Sequence, residues 1–193
     1  MVRVGILGGS FDPIHVGHLA AASEVHYALG LDVVLVVPAN AQPLKPPPTA
    51  SAADRLAMCR AAVANDPRFR VSDVDIARGG PTYTVDTLTD LRRQYPAGEF
   101  FFITGADSLA TLPQWKDYVT LVTLATFVGV TRPGHSLEEL GAPHVLVEVP
   151  AMEVSSTDIR KRLRSGAPTR YLVPDAVAQY LEDHRLFLGG SNE

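Results

Sequence analysis

Short apolar runs alternate with helix-like segments along most of the chain, and this alternation limits the possible folds more than any other feature. Several runs are continuously hydrophobic, which is typical of strands buried on both faces of a parallel sheet. The predicted strands are residues 2–7, 33–37, 69–74, 100–104, 127–130 and 145–149. The predicted helices between them are approximately residues 18–29, 52–65, 85–95 and 114–124. The pattern predicts an α/β fold with a doubly wound, mostly parallel sheet and right-handed crossovers.

In the last 40 or so residues the alternation of strands and helices gives way to helical patterns alone. Residues 156–164 and 174–184 read as two helices, and Pro174 suits the first turn of the second one. We expect residues 155–188 to form a small helical cap on the sheet. A chain of 193 residues is long enough for one generous domain. The prediction is a single domain over residues 1–188, followed by a flexible tail at 189–193.

Charge and hydropathy exclude several classes of function. The 17 Lys and Arg against 21 Asp and Glu give a net charge of −4, which argues against a binder of nucleic acid or of anionic membranes. No apolar stretch approaches the ~18–20 residues that a membrane span needs, and the amino terminus has no signal-peptide layout. We expect a soluble, cytoplasmic protein. The single cysteine, Cys59, is predicted to be an inert core thiol.

The turn after the first predicted strand, GGSFDPIHVGH at residues 8–18, is the first place to look for a ligand site. Ligands of open α/β sheets bind outside the carboxyl ends of the strands. Paired glycines, Gly8 and Gly9, allow the backbone to approach a ligand closely. The turn is neither G-x-G-x-x-G nor a P-loop, which disfavours a nicotinamide-dependent oxidoreductase and a P-loop kinase.

Two histidines, His15 and His18, stand three residues apart where the first helix begins. At this spacing they share one face of the helix, beside its positive dipole end, and this arrangement favours phosphate binding. A metal pair or two structural histidines are the alternatives. Zinc normally needs a third protein ligand, and no cysteine or obvious glutamate accompanies the pair.

The segment GGSFDPIHVGH resembles the G-G-[ST]-F-D-P-x-H-x-G-H signature of the HIGH-type nucleotidyltransferases, and later motifs resemble those of the nicotinate-nucleotide adenylyltransferase family. The resemblance covers about residues 2–187. It implies a Rossmann-like nucleotidyltransferase fold. It also implies that the turn binds ATP through Gly8, Gly9, Ser10, Phe11, His15 and His18.

A second motif, SSTDIR at residues 155–160, follows a predicted strand and begins a helix. Ser155 and Asp158 have the spacing of a helix cap, which is the simpler interpretation. The following turns add Lys161, Arg162 and Arg164, so this helix start can also meet a polyphosphate. The segment resembles the family's [IV]-S-S-T-x-x-R motif, which implies that Ser156, Thr157 and Arg160 bind the β- and γ-phosphates of ATP.

Two further segments are expected at the nucleoside end of ATP. Gly105 and Asp107 follow the predicted strand 100–104, where an aspartate can cap a helix or accept hydrogen bonds from ribose hydroxyls. Their similarity to the family's G-x-D-[SAM] segment implies ribose binding by Asp107. Arg132 resembles the arginine of the family's R-P-G turn beside the adenine, although a solvated surface arginine is the alternative.

The mononucleotide substrate is predicted from three other places in the chain. Trp115 is the only tryptophan; a lone tryptophan usually fills a core or an interface, but the family's L-P-x-W segment stacks its indole on the pyridine ring. Thr82, Tyr83 and Thr84 match P-[ST]-Y-T, which implies groups near the ring carboxylate. Lys45, in the proline-rich loop 38–49, is expected to meet the phosphate. Here the sequence departs from many relatives, since Leu44 stands where they carry a histidine.

The resemblance implies that ATP and nicotinate mononucleotide react to give nicotinate adenine dinucleotide and pyrophosphate, by direct in-line attack. The implied catalytic residues are His15, His18 and Arg160, with Mg²⁺ carried mainly by ATP and no protein metal site. Alternative substrates are nicotinamide mononucleotide and phosphopantetheine. Alternatives from other classes are an oxidoreductase and a non-catalytic nucleotide sensor. A homo-oligomer is possible, and no nucleic-acid or membrane partner is expected.

Overall fold

The computed structural model describes residues 1–43, 46–131, 144–150 and 152–188. Within these ranges the strands are β1 (Val2–Gly9), β2 (Val33–Pro38), β3 (Phe69–Val71), β4 (Gly98–Gly105), β5 (Thr126–Thr131) and β6 (His144–Glu148). They form one sheet in the order β3-β2-β1-β4-β5-β6, and every neighbouring pair is parallel. The winding direction reverses between β1 and β4, which is the topological switch point. The predicted doubly wound parallel sheet is confirmed.

The helices cover both faces of this sheet. In the described part of the chain they are α1 (Val16–Leu29), α2 (Ala52–Val63), α3 (Val74–Arg78), α4 (Thr84–Gln94), α5 (Ala106–Ala110), α6 (Tyr118–Leu124), α7 (Ser156–Arg164) and α8 (Asp175–Asp183). A single 3₁₀ turn, Leu112–Gln114, lies between α5 and α6.

Two hydrophobic clusters, one on each face, explain why the strands are continuously apolar. In β2, Val34 and Val36 belong to the cluster that includes α1, α2, α7 and α8. The alternate residues Val33, Leu35 and Val37 belong to the cluster that includes α3, α4, α5 and α6. Because successive side chains of a strand point to opposite faces, both sets must be hydrophobic.

Two element predictions are wrong in their boundaries. The predicted strand 69–74 ends at Val71, and Val74 begins helix α3. A short apolar run satisfies a buried strand and a buried helix equally well, so its pattern does not separate the two. The predicted helix 114–124 starts only at Tyr118, after the 3₁₀ turn that contains Pro113 and after Asp117, whose φ is +51°.

The carboxyl-terminal helices join the hydrophobic cluster on one face of the sheet, and α8 packs against α2. Val177 and Leu181 of α8 are buried in the same cluster as Met58 of α2. The Tyr180 hydroxyl donates to a carboxylate oxygen of Asp54 on α2 at 3.0 Å. The division into one domain and a tail stays a prediction, and residues 189–193 lie outside the described residues. None of the described helices is both long and apolar enough to cross a membrane.

The predicted burial of Cys59 is confirmed. Its side chain is fully buried, and this burial raises the pKa of the thiol to about 12. The reactive thiolate form is therefore suppressed at neutral pH.

Candidate active site

A cleft of about 650 Å³ opens at the carboxyl edge of the sheet, beside the switch point. The carboxyl ends of β1, β2 and β4 lie side by side at this edge. Gly9 at the end of β1 pairs with Pro38 of β2, and Leu7 pairs with Ile103 of β4. The lining residues come from the ends of β1, β4 and β5, from the beginnings of α1 and α7, and from the proline-rich segment 46–49. Ligands of open α/β sheets bind at this place.

The glycine turn brings main chain directly to the cleft. Gly8 and Gly9 both line it. A Cβ atom added at Gly9 would lie 2.9 Å from the ring of Phe11, so a side chain cannot be accommodated there without displacing that ring. Phe11 itself adopts a positive φ of 48°, an unusual backbone state for a residue with a side chain. The tight turn therefore depends on glycine at position 9.

The two histidines form a stacked pair at the start of α1. Their ring centroids are 3.6 Å apart, and both rings line the cleft. The His15 backbone N–H donates to Nδ1 of His18 at 3.2 Å. Because Nδ1 of His18 accepts a hydrogen bond, the neutral ring carries its proton on Nε2. His18 is thus held in the tautomer whose Nε2–H can donate to an anion.

His15 is the more deeply buried of the pair. It is only 6% exposed, and its Nδ1 has no hydrogen-bond partner among the described residues. Burial lowers the pKa of His15 to about 4, so the ring is neutral at physiological pH. A buried polar atom without a partner is rare in folded proteins and often marks a ligand site.

The low pKa of His15 predicts a specific pH dependence of stability. Since the folded pKa of about 4 lies below the unfolded value of 6.5, the unfolded state binds the extra proton first. The free energy of unfolding should therefore fall as pH drops from 6.5 towards 4, by up to about 3 kcal/mol from this residue. Urea denaturation at pH 7.5 and 4.5 should show a smaller fall for His15→Asn than for wild type. An equal fall in the free energy of unfolding of wild type and His15→Asn would contradict this prediction.

Helix α7 is fastened to the histidine turn by two of its predicted site residues. The Ser156 hydroxyl donates to the Pro13 carbonyl oxygen at 2.8 Å. Arg160 donates from Nη1 to the Asp12 carbonyl oxygen at 2.7 Å, and from Nη2 to the Thr157 hydroxyl at 3.3 Å. Ser156, Thr157 and Arg160 all line the cleft. The beginnings of α1 and α7 therefore open on one shared cleft.

Asp12 is a structural anchor for which the sequence motif predicts no role of its own. Its carboxylate accepts hydrogen bonds from the backbone N–H groups of Thr49 (2.8 Å) and Ala50 (2.9 Å). The same carboxylate lies 3.5 Å from Nη1 of Arg160. Asp12 thus joins the turn, the proline-rich loop and α7.

A buried arginine, Arg55, was also missed, because nothing in a helical sequence pattern shows that one arginine is buried. Its side chain on α2 is 1% exposed and donates to main-chain carbonyls at the ends of β1 and β2. Burial lowers the pKa of Arg55, while the charge of Asp12 opposes this. Two guanidinium groups, Arg55 and Arg160, therefore lie near one carboxylate, and this local excess of positive charge suits an anionic ligand.

The residues predicted for the nucleoside end are only partly at the cleft. Gly105 lines it, as does Ser10 of the glycine turn, whose hydroxyl donates to the Gln42 side-chain oxygen at 2.8 Å. Asp107, in the first turn of α5, is exposed and is not a lining residue. Arg132 lies outside the described residues. Ribose binding by Asp107 and adenine contact by Arg132 stay predictions.

Two of the residues predicted for the mononucleotide lie on the other face of the sheet. Trp115 and Tyr83 both pack against the α3–α6 cluster, and neither lines the 650 Å³ cleft. The Trp115 indole makes edge contacts with Phe102 and Phe127, at centroid distances of 6.0 and 6.1 Å, and donates to the Thr111 hydroxyl at 3.2 Å. The structure therefore separates this group from the histidine turn.

Hydrogen bonds connect the Thr82 segment to the loop after β2. Thr82 accepts a hydrogen bond from the Asn40 backbone N–H at 2.9 Å, and the Thr82 N–H donates to the Ala41 carbonyl at 2.7 Å. Thr84 begins helix α4 directly after Tyr83. Lys45 and its neighbour Leu44 lie outside the described residues, while the prolines that follow them line the cleft.

Comparison with known proteins gives a consistent result. The family model described as cytidylyltransferase-like matches residues 6–162. A protein of Corynebacterium kroppenstedtii named probable nicotinate-nucleotide adenylyltransferase is 55% identical, over 96% of this chain and 91% of its own length. A protein of the same name from Streptomyces coelicolor is 52% identical, over 95% of this chain and 100% of its own length.

Solved structures share the fold at much lower identity. The nicotinic acid mononucleotide adenylyltransferase of Plasmodium falciparum complexed with NaAD aligns with a TM-score of 0.80 at 20% identity. The alignment covers 97% of this chain and 98% of that one. The same enzyme complexed with APC gives a TM-score of 0.78 at 19% identity.

Proposed function

Because this chain belongs to the cytidylyltransferase-like family, and within it to the nicotinate-nucleotide adenylyltransferases, we propose that its cleft joins ATP to nicotinate mononucleotide. The products are nicotinate adenine dinucleotide and pyrophosphate. A phosphate oxygen of the mononucleotide attacks the α-phosphorus of ATP, and the bond from that phosphorus to the oxygen bridging to the β-phosphate breaks in line.

One observation carries the assignment of the ATP site. The amino-terminal ends of α1 and α7, the stacked histidines and Arg160 all border one cleft, at the switch point of the sheet. Helix beginnings present backbone N–H groups and positive dipole ends, which stabilise phosphate oxygens. The beginnings of α1 and α7 are linked through the contacts of Ser156 and Arg160 to residues 12–13, so their positions are fixed before ATP binds.

Catalysis in this proposal depends on orientation and on charge stabilisation. The attacking phosphate is already an anion near neutral pH, so no serine nucleophile or strong base is required. His18 donates from Nε2 to the α-phosphate as charge develops there. His15 holds the His18 ring through its backbone N–H and is the second candidate donor to the same phosphate. Arg160 stabilises the departing pyrophosphate, while its bond to the Asp12 carbonyl keeps the turn in place.

Mg²⁺ is proposed to arrive with ATP, held by phosphate oxygens and water. Asp12 is the one carboxylate among the described residues that line the cleft. Both of its oxygens accept main-chain hydrogen bonds, and Arg160 lies beside one of them. The donor set therefore fits a metal carried by the substrate better than one held by the protein. Cytoplasmic location and homo-oligomerisation stay predictions.

A pyrophosphate-release assay tests the proposed function. Purified protein with ATP, Mg²⁺ and nicotinate mononucleotide should release pyrophosphate and form the dinucleotide in equal amounts. Nicotinamide mononucleotide and phosphopantetheine, tested in parallel, should react more slowly. Turnover with phosphopantetheine alone, or tight binding of NADPH without any turnover, would overturn the proposal.

The proposed stacking role of Trp115 gives a second, separable test. Trp115→Ala should raise KM for nicotinate mononucleotide about tenfold or more, since stacking of a base on an aromatic side chain is worth about 1–3 kcal/mol. KM for ATP should change little, because Trp115 does not line the histidine cleft. Trp115→Phe is the control, since it keeps an aromatic face. Equal weakening of both substrates would show that the indole only supports the fold through Phe102 and Phe127.

A further inference from the structure

Arg55 is buried beneath the active-site edge and is used by no step of the proposed reaction. It lies in the second turn of α2, with 1% of its surface exposed. Arginine is rarely buried so completely unless it is paired. The buried Nε of Arg55 has no hydrogen-bond partner among the described residues, but both Nη atoms do. Here Nη1 donates to the carbonyl oxygens of Ser10 (2.8 Å) and Ala39 (2.6 Å), and Nη2 donates to that of Asn40 (3.1 Å).

These carbonyls belong to two different loops at the site. Ser10 follows β1 and stands in the glycine–histidine turn, whereas Ala39 and Asn40 follow β2. The planar guanidinium can reach all three because its donors are fixed in one fork. The Arg55 side chain therefore ties the two loops together from below. It does so alongside the Ala39 N–H bond to the Gly9 carbonyl (2.8 Å) and the Ser10 hydroxyl bond to Gln42 (2.8 Å).

The loop after β2 extends this connection to the second group of predicted site residues. The Asn40 backbone N–H donates to the Thr82 hydroxyl, and its side-chain Nδ2 donates to the Gly80 carbonyl at 2.9 Å. Arg55 is thus connected directly to the turn that faces ATP and, through Asn40, to the Thr82 segment expected at the mononucleotide.

We propose that Arg55 is a positioning residue for adenylyl transfer, which holds the ATP turn and the mononucleotide segment at the separation that in-line attack requires. This role rests on the proposed function. In-line transfer is sensitive to such placement, because small displacements of the reacting groups lower the rate strongly. Arg55 touches neither substrate; it acts through the main chain of Ser10 and Asn40.

A second arginine provides a matched control. Arg92 on α4 also donates to two main-chain carbonyls, those of Gly98 (2.9 Å) and Leu124 (2.8 Å). Gly98 begins β4, so these bonds lie at the opposite edge of the sheet from the cleft. Substitution of Arg92 therefore removes hydrogen bonds to main-chain carbonyls, as substitution of Arg55 does, but at a distance from the active-site cleft.

The test compares kcat, both KM values and Tm for Arg55→Lys, Arg55→Ala, Arg92→Lys and Arg92→Ala. We expect Arg55→Lys to lower kcat about tenfold or more, the scale of a lost hydrogen bond to a charged group, while Arg92→Lys keeps the wild-type kcat. Low concentrations of guanidinium chloride, far below those that unfold the protein, should restore kcat in Arg55→Ala and leave Arg92→Ala unchanged.

The proposal is overturned if the Arg55 variants and the Arg92 variants show the same loss of kcat for a given decrease in Tm. It is also overturned if guanidinium restores the Tm of Arg55→Ala but not its kcat. A wild-type kcat in Arg55→Lys overturns it as well. If wild type itself releases no pyrophosphate with nicotinate mononucleotide, the proposed function fails instead. In that case ATP affinity, measured by calorimetry, still tests Arg55, and an unchanged Kd in Arg55→Lys then overturns its role.

Discussion

His18→Ala is expected to lower kcat about 100-fold or more while the fold stays intact, the scale seen when one preorganised donor to a developing oxyanion is removed. The structure gives the reason, since the His15 N–H holds Nδ1 of His18 and leaves the proton on Nε2. The lost contact at the helix start should cost only about 1 kcal/mol of folding free energy. Circular dichroism and Tm, measured beside steady-state kcat, separate the two effects.

Two isosteric variants identify the nitrogen that matters. His18→Gln places an amide N–H near the position of Nε2 and should retain more activity than His18→Ala. His18→Asn offers an acceptor near the position of Nδ1 and should keep the turn without restoring kcat. His26→Ala, at the other end of α1, is the control and should behave like wild type. A folded His18→Ala enzyme with unchanged kcat would remove the assignment.

Arg160→Lys is expected to lower kcat by about 10- to 100-fold, since a hydrogen bond to a charged group contributes about 1.5–3 kcal/mol. A lysine ammonium lacks the fixed fork that lets Arg160 hold the Asp12 carbonyl while other donors remain for a phosphate. Inhibition by added pyrophosphate should weaken in parallel, because this residue is proposed to bind the leaving group.

Arg164→Lys is the matched control, since Arg164 is exposed in the last turn of the same helix. It should keep the wild-type kcat and pyrophosphate inhibition. If Arg160→Lys lowers Tm but leaves pyrophosphate inhibition as in wild type, then Arg160 serves only to fasten α7 to the turn.

The bounds of α7 were predicted correctly from residues close in sequence. Residues 156–164 were predicted as a helix, and the structure begins and ends α7 at those residues. The Ser155 hydroxyl accepts a hydrogen bond from the Asp158 N–H at 3.1 Å, so the cap is formed by residues close in sequence. By contrast, the apolar run 69–74 did not show that the strand ends at Val71 and that a helix begins at Val74, because a short apolar run suits either element.

The sequence by itself determined the parallel sheet, the two helix beginnings and the residue types at the site, because periodicity, capping and turn chemistry act over a few residues. The family resemblance implied that α1 and α7 meet one ATP, but only the tertiary structure shows the cleft that both border and the three segments that Asp12 anchors. It also decided that Arg55 is buried beneath the turn. These contacts join residues up to 148 positions apart, as Arg160 and Asp12 show. Such pairs meet through strand order and packing, for which no short-range pattern exists.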